Sequence, residues 1–463
     1  MKYINEERIN NLLSDSGKFD SRKVDLILNK ARLLQRLTLE ESATLLMVQE
    51  PDYIQKIFSA ASFVKDAIYG KRVVLFAPLY ISNLCVNNCL YCGFKSDNAR
   101  FKRKALTVSE ITGQIEWLLK RGHKRILVVC GEAAPGGLEN IDYYIQAIRA
   151  VYAAKFGKQR IKRVNVNCAP LCVSEFKRLK ASGIGTYQIF QETYHDQTYR
   201  SMHLSGPKSD PDNRISAPDR AFAAGIDDIG IGPLYGLYDW RFETLGLLSH
   251  VEHMEEEFKV GPHTISVPRI EPAEGSELSF NPPYKISDED FKKVVAVLRL
   301  SVPYTGIIMS TRESAVMRDA LLSLGVSQVS AESSTSPGGY SDNREANAGR
   351  SQFSLGDNRT IDEVVASLIA HDYIPSFCAA CYRKERTGKA FMKMAKPGTI
   401  KGKCSLNALV TLKEYLDDFA SLPVKGAGNK LIDKFRQDLS APDQALLKIL
   451  LGRVEEGVRD EFV

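Results

Sequence analysis

From residue 72 onward the chain repeats one local grammar eight times: a short apolar or β-branched run, a break, then a segment with helix-spaced apolar positions. The runs fall near 73–77, 126–129, 163–167, 185–191, 226–232, 263–267, 306–310 and 326–330. Helical patterns follow near 108–121, 140–156, 174–182, 214–224, 240–258, 287–302, 313–324 and 360–371. Short runs that are apolar on both faces suit strands covered by helices, as parallel sheets require. Four helices end in glycine just before a strand, at Gly122, Gly183, Gly225 and Gly325, where a left-handed residue turns the chain back. Thr38 with Glu41, Thr107 with Glu110 and Thr360 with Glu363 have the spacing of capping boxes. Eight such units predict an α/β protein, a (β/α)8 TIM-type barrel, with an open doubly wound sheet as the alternative. The organisation expected is an N-terminal helical segment over 1–70, the barrel over 71–372 and a mainly helical C-terminal domain over 373–463. A polar loop rich in Gly, Ser and Asn spans 335–359.

A barrel of this kind carries its chemistry on the loops after its strands. Cys85, Cys89 and Cys92, in the string CVNNCLYC, follow the first strand. Three closely spaced thiolates can hold three irons of a cubane cluster and leave the fourth iron open to a small molecule. A structural zinc site wants a fourth ligand close by, and the next candidates, His123 and Cys130, give no compact spacing. The C-x3-C-x2-C pattern, with Tyr91 before its last cysteine, is the signature of radical S-adenosylmethionine (SAM) enzymes. A second group, Cys378-x2-Cys381-x22-Cys404, again offers three thiolates. On spacing alone it reads equally as iron–sulfur or as zinc, with His371 able to complete a Cys3His set, and a redox pair is the third option. Cys130, Cys168 and Cys172 read as packing residues.

Nine cysteines in a chain whose first residues form no apolar signal region point to a reducing, cytoplasmic setting and to metal or redox use. A net charge of +6 over 463 residues is mild, and no block of like charge stands out, so nucleic acid is not an expected partner. Nor is a membrane, since no run of about 18 apolar residues occurs.

Further candidates sit at the expected strand ends. Gly131 and Glu132 follow the second strand, where a glycine lets backbone approach a ligand and an acid can bind an amine, although Gly-Glu after a strand is often only a turn. Gln191 and Glu192 open the polar string QETYH after the fourth strand, which reads as a ligand-binding edge or a solvated loop. Arg220 can grip a carboxylate with two prongs or form a surface ion pair. Ser310 and Arg312 end the seventh strand, where Arg312 can clamp an amino-acid carboxylate. His263, at the start of the sixth strand, is by position alone a structural histidine.

Together the motifs CVNNCLYCGF, KRVNVN, GIGTYQIFQETYH, AGIDDIGIGPLYGLYD, GPHTISVPR, SVPYTG, STRE and CAACYRKERTG resemble the FeFe-hydrogenase maturases that are radical SAM tyrosine lyases. Their thiamine-pathway relatives, the 2-iminoacetate synthases, share the barrel but lack the C-terminal cysteines. The resemblance covers roughly residues 5–420. It implies that Cys85, Cys89 and Cys92 hold a SAM-binding 4Fe-4S cluster, with Tyr91, Gly131, Glu132, Gln191, Glu192 and Arg220 around SAM. It implies that SAM is cleaved to a 5′-deoxyadenosyl radical and that tyrosine is split at Cα–Cβ into p-cresol and dehydroglycine, with Ser310 and Arg312 at the substrate. Cys378, Cys381 and Cys404 would hold an auxiliary iron–sulfur cluster with a labile iron bound by His263, where dehydroglycine becomes carbon monoxide and cyanide. The implied product is an iron–CO–CN unit, carried on free cysteine, for the hydrogenase H-cluster. A low-potential electron donor and the other hydrogenase maturases are the implied partners. The alternative is a lyase that stops at dehydroglycine or acts on another aromatic amino acid. Two residues depart from the family pattern: Glu271, where a basic residue is common, and Glu332, where glycine is expected.

Overall fold

The computed structural model describes residues 1–133, 140–341 and 349–463. The stretch beyond Ala133 and the centre of the polar loop expected at 335–359 lie outside them.

Among the described residues nine parallel strands form one sheet: β1 Arg72–Ser82, β2 Arg125–Cys130, β3 Arg163–Asn167, β4 Tyr187–Gln188, β5 Ile229–Ile231, β6 Thr264–Ser266, β7 Gly306–Met309, β8 Val326–Ser330 and β9 Ile374–Ser376. The first eight pair in sequence order, and β1 pairs with both β2 and β8, so the sheet closes into the expected (β/α)8 barrel. The open-sheet alternative is excluded by this closure. β4 is short as a regular ladder, yet its extended course runs on: Ile189 N–H donates to Gly230 O at 2.9 Å and Gln191 N–H to Gly232 O at 3.1 Å.

The eight helices fall where their apolar periodicity puts them, except that 214–224 breaks at Ser216 into Pro211–Ile215 and Ala217–Ala223. Thr38, Thr107 and Thr360 each form a capping box. The junction glycines Gly122, Gly183 and Gly225 have φ of 88°, 85° and 84°, the left-handed geometry that ends a helix and turns it into the next strand.

Four helices, Glu6–Asp15, Ser21–Arg32, Leu39–Met47 and Pro51–Tyr69, precede the barrel. Ile57, Ala61, Val64 and Ile68 form one fully buried face of the last of them, which packs on the barrel helix Asp288–Ser301. At roughly 1.5–3 kcal/mol for each buried Val or Ile, this face rather than helix propensity fixes the segment to the barrel.

The strand pattern does not stop at 373, as expected, but adds β9. Val74 of β1 pairs with Gln328 of β8 on one side and Ser376 of β9 on the other, so β9 occupies the β2 side at the N-terminal end of β1. Three residues that include Pro375 are too short a run to read as a strand, and proline is tolerated on such an edge. The helices Ala380–Arg383, Gly388–Ala395, Ile400–Asp418, Leu422–Gln437 and Ala441–Glu455 follow. The last two bury Val424, Leu431, Ile432, Leu447, Leu450 and Val454, so sparse apolar positions suffice to dock them.

Candidate active site

The barrel has a cavity at each mouth. The strands' C-terminal ends open into one of ≈ 1400 Å³, counted to its open rim, lined by Cys85, Cys89, Cys92, Tyr91, Gly131, Glu132, Glu192, Ser310 and Arg312. The N-terminal ends surround another of ≈ 640 Å³, lined by Cys378, Cys381, Cys404 and His263. The two cysteine groups therefore lie at opposite ends of one barrel.

The first loop is braced along its length. Val86 N–H donates to Glu132 O at 2.8 Å, Asn88 N–H to Ser205 O at 3.1 Å and Leu90 N–H to Met202 O at 3.0 Å. Gly131 has a different role from the one expected of it. A Cβ there would stand 2.2 Å from Leu84 O, so its lack of a side chain makes room for the cysteine loop itself. Asn87 Nδ2 reaches Cys85 Sγ at 3.8 Å, and Gln352 Nε2 reaches Cys92 Sγ at 3.6 Å. Such amide donors favour sulfur that carries negative charge. Burial, with Glu132 and Cys92 near, pushes the Cys85 thiol up to about 11, and burial pushes Cys89 and Cys92 up as well. Thiols raised in this way keep their protons and are poor nucleophiles, and a metal that bound them would have to displace those protons. Tyr91 O–H donates to His203 Nε2 at 2.8 Å, because His203 Nδ1–H is committed to Tyr199 O at 2.7 Å.

Two basic residues that the sequence reading passed over organise the acids. Arg214 NH1 lies 2.7 Å from Glu132 Oε1 and its Nε donates to Phe190 O at 2.6 Å, while Lys208 Nζ lies 2.7 Å from Glu192 Oε1. Burial opposes ionisation of Glu132, but Arg214 and Lys208 hold it below its ordinary range. Glu192 sits at φ 71°, an unusual backbone for a non-glycine residue, held by these ion pairs and by Leu234 N–H donating to its carbonyl at 2.7 Å.

Two expected members do not reach the cavity. Arg220 donates instead to Leu171 O, Ser216 Oγ and both Asn213 O and Oδ1, at 2.8–2.9 Å. Its helix lies outside the mouth, and Arg214, before the break at Ser216, occupies the cavity wall. Gln191 is buried behind the wall with Nε2 toward Pro211 O; strand alternation turns Glu192 in and Gln191 out. Cys130, expected as packing, also lines the cavity at the end of β2. Cys168 is buried and Cys172 exposed, both away from it. Glu271 lines the cavity, whereas Glu332 does not: it bonds Arg121 Nε at 3.1 Å.

At the other mouth, Arg72, Arg125 and Arg163 begin β1, β2 and β3 and face Cys378, Cys381 and Cys404. Arg125 NH1 donates to Cys378 O at 2.6 Å. Asp228, just before β5, ties the loop down, accepting from Tyr382 O–H and from Gly388 N–H, and its Oδ1 lies 3.5 Å from His263 Nδ1. Burial and the nearby arginines hold His263 well below its ordinary range, hence neutral, the form in which imidazole ligates metal. His371 is exposed, with Nδ1–H donating to Ser367 O at 2.8 Å, and lies outside this cavity, so it does not complete a Cys3His set with the three thiols. Among the described residues no three His, Cys, Asp or Glu side chains close on one ion. Thiols spread round a cavity and ringed by cations fit a cluster that takes one sulfur per iron and carries negative charge. Among the described residues no helix is long and apolar enough to cross a membrane.

Comparison with known proteins agrees with this architecture. Residues 79–247 match the radical SAM superfamily model, and residues 266–374 match the biotin and thiamin synthesis associated domain. The 2-iminoacetate synthase of Escherichia coli (strain K12) is 32% identical over 342 residues, which span 73% of this chain and 86% of that protein. A crystal structure of HydG, a maturase of the FeFe-hydrogenase, superposes with a TM-score of 0.96 at 45% identity over 100% of both chains. HydG from Carboxydothermus hydrogenoformans gives 0.84 at 40% identity, covering 96% of this chain and 97% of that one. Radical SAM membership implies a 4Fe-4S cluster and SAM as cofactors. The chain belongs to the radical SAM family of lyases, in the branch that holds 2-iminoacetate synthase and HydG.

Proposed function

We propose that the protein is a tyrosine lyase that cleaves the Cα–Cβ bond of tyrosine to p-cresol and dehydroglycine. The second site then converts dehydroglycine to carbon monoxide and cyanide, yielding an iron–CO–CN unit for the FeFe-hydrogenase H-cluster. The observation that carries this reading is the pair of cysteine triads at opposite mouths of one barrel. A 4Fe-4S cluster bound with SAM in the first cavity supplies a 5′-deoxyadenosyl radical.

Each residue then has a task. Cys85, Cys89 and Cys92 hold the cluster, and Tyr91, Gly131, Glu132 and Glu192 form the SAM wall. Arg312, stacked 3.3 Å from the centre of the Phe353 ring, binds the substrate carboxylate beside Ser310. Phe76, Leu127, Val129 and Ile308 line the cavity with apolar surface, which keeps water from a radical. Dehydroglycine, a two-carbon imino acid, has the composition of carbon monoxide, hydrogen cyanide and water, so its breakdown needs no added atoms. Its path to Cys378, Cys381, Cys404 and His263 is supported by polar side chains in the barrel, with Gln188 on the first cavity and Gln328 on the second. Among the described residues Gln188 Oε1 and Thr264 Oγ1, both buried, have no hydrogen-bond partner. Free cysteine as carrier, a low-potential electron donor and the other maturases complete the proposal.

Anaerobic turnover of reconstituted protein with SAM, tyrosine and a low-potential reductant tests it, with p-cresol assayed and carbon monoxide trapped by deoxymyoglobin. Both products are expected. p-Cresol alone would reduce the function to that of the 2-iminoacetate synthases, and neither product would remove tyrosine as substrate.

A further inference from the structure

Among the described residues six charged side chains line the first cavity: Glu132, Glu192, Lys208, Arg214, Glu271 and Arg312. Four are spent on each other, Glu132 with Arg214 and Glu192 with Lys208. The remaining two, Glu271 after β6 and Arg312 after β7, are different. Among the described residues neither side chain makes a hydrogen bond or an ion pair. The Arg312 guanidinium only stacks on Phe353, and its backbone N–H goes to Ser310 Oγ. The nearby Arg269 cannot neutralise Glu271, because its guanidinium is taken by Glu313 and by Asp288 at 2.7 Å. Both residues are partly buried, so two opposite charges left unpaired in one cavity carry a desolvation cost that a ligand satisfying both would offset. Burial accordingly raises the Glu271 carboxyl and lowers Arg312 from their ordinary values.

An α-amino acid presents the complementary pair, an ammonium and a carboxylate on one carbon. We propose that Glu271 and Arg312 form a two-point clamp for the substrate's α-ammonium and α-carboxylate, with Glu271 the residue that binds the amino nitrogen. A phenol acceptor would have no reason to stand beside Arg312, whereas an ammonium acceptor must. The clamp holds the nitrogen, rather than the ring, at a fixed place in the cavity, and its selectivity is for the zwitterion. This inference rests on the reading that the first cavity takes an aromatic amino acid.

The test uses the full-length, cluster-reconstituted protein with SAM, and compares binding of tyrosine, tyramine and desamino-tyrosine. Glu271→Gln should weaken tyrosine and tyramine by about tenfold to a hundredfold, the loss of one charge-assisted hydrogen bond, and leave desamino-tyrosine unchanged. Arg312→Gln should do the converse, sparing tyramine. Glu271→Asp, which keeps the charge, should restore discrimination against desamino-tyrosine and so separates the clamp from a loss of fold. Equal weakening of all three ligands by Glu271→Gln, or no change, overturns the clamp. Loss of amine discrimination in a protein that binds tyrosine but makes no p-cresol would uphold the clamp and remove the lyase reading. p-Cresol formation with discrimination intact in Glu271→Gln would do the reverse.

Discussion

Arg214 and Arg220 stand on either side of the helix break at Ser216, and only the first faces the cavity. Arg214 is buried and compensates Glu132. Removing one partner of such a pair leaves the other charge uncompensated, at about 3–5 kcal/mol. Arg214→Met is therefore expected to weaken SAM binding at least tenfold, on the order of what a misplaced wall carboxylate costs. Arg220→Ala should leave SAM binding within about threefold and act on stability alone, since its bonds run to Leu171 O, Ser216 Oγ and Asn213. Equilibrium SAM binding and thermal melts of both variants check this, and a SAM defect in Arg220→Ala would restore it to the site. Sequence alone singled out Arg220 rather than the cavity-lining Arg214 because Pro207, Pro211 and Pro218 break the β4–β5 crossover into short helices, where periodicity gives no face. The cysteines were legible for the opposite reason: ligand spacing is local, whereas Lys208 and Gln352 reach the cavity from remote loops.

The loop after β4 shows how an element, rather than a residue, shapes the wall. Glu192 projects into the cavity where the chain turns after β4, and the turn is held from the helix that follows β5, Trp240–Phe258. Glu243, fully buried in that helix, accepts from Thr193 O–H and from Tyr194 N–H, the latter at 2.8 Å. Burial pushes its carboxyl up from 4.5 to about 8, against the two hydrogen bonds. The folded chain thus holds a proton that the unfolded chain gives up above 4.5. Its contribution to stability is full below that value and is lost as pH rises through about 8. Wild-type stability should fall between about pH 5 and 8 by ~1 kcal/mol per unit more steeply than that of Glu243→Gln. Denaturant midpoints measured across this range decide it, and parallel slopes would mean that Glu243 ionises normally. None of this was readable in QETYH, where a polar string looks the same whether it is solvated or pinned from a distant helix. Glu332 is a similar case. At φ 49° it holds a conformation that favours glycine, yet its carboxylate reaches Arg121 Nε and the Ile361 N–H that opens the helix Ile361–Ala370. Glu332 thus serves the joint between β8 and that helix, outside the first cavity.

At the scale of the whole molecule, the eight-fold alternation of strand and helix was enough to foresee a closed barrel, because its core is local periodicity repeated. What the alternation alone did not disclose, and the family resemblance implied, is a second cysteine group at the other end of the barrel. β9, a strand too short to read, brings Cys378 under the barrel, and Asp228 fastens the rest of that loop through Tyr382 and Gly388. The N-terminal mouth, usually a place for stability in such barrels, here gathers three thiols, a neutral histidine and a ring of arginines. The two cavities lie at opposite mouths of the barrel, so damage to the second should leave the chemistry of the first standing, whereas damage to the first should silence both. Cys89→Ala is expected to abolish 5′-deoxyadenosine and p-cresol together, since it removes a thiol of the first cavity on which every later step depends. Cys381→Ala should keep a substantial part of p-cresol formation while carbon monoxide falls to background, with iron content reduced but not lost. Product assays on the two variants side by side separate the ends. Normal carbon monoxide release from Cys381→Ala would mean that dehydroglycine is broken down elsewhere and that the second cysteine site serves another purpose, such as passing electrons. Loss of p-cresol in that variant, with its fold intact, would mean instead that the two mouths are coupled through the barrel rather than merely joined by it.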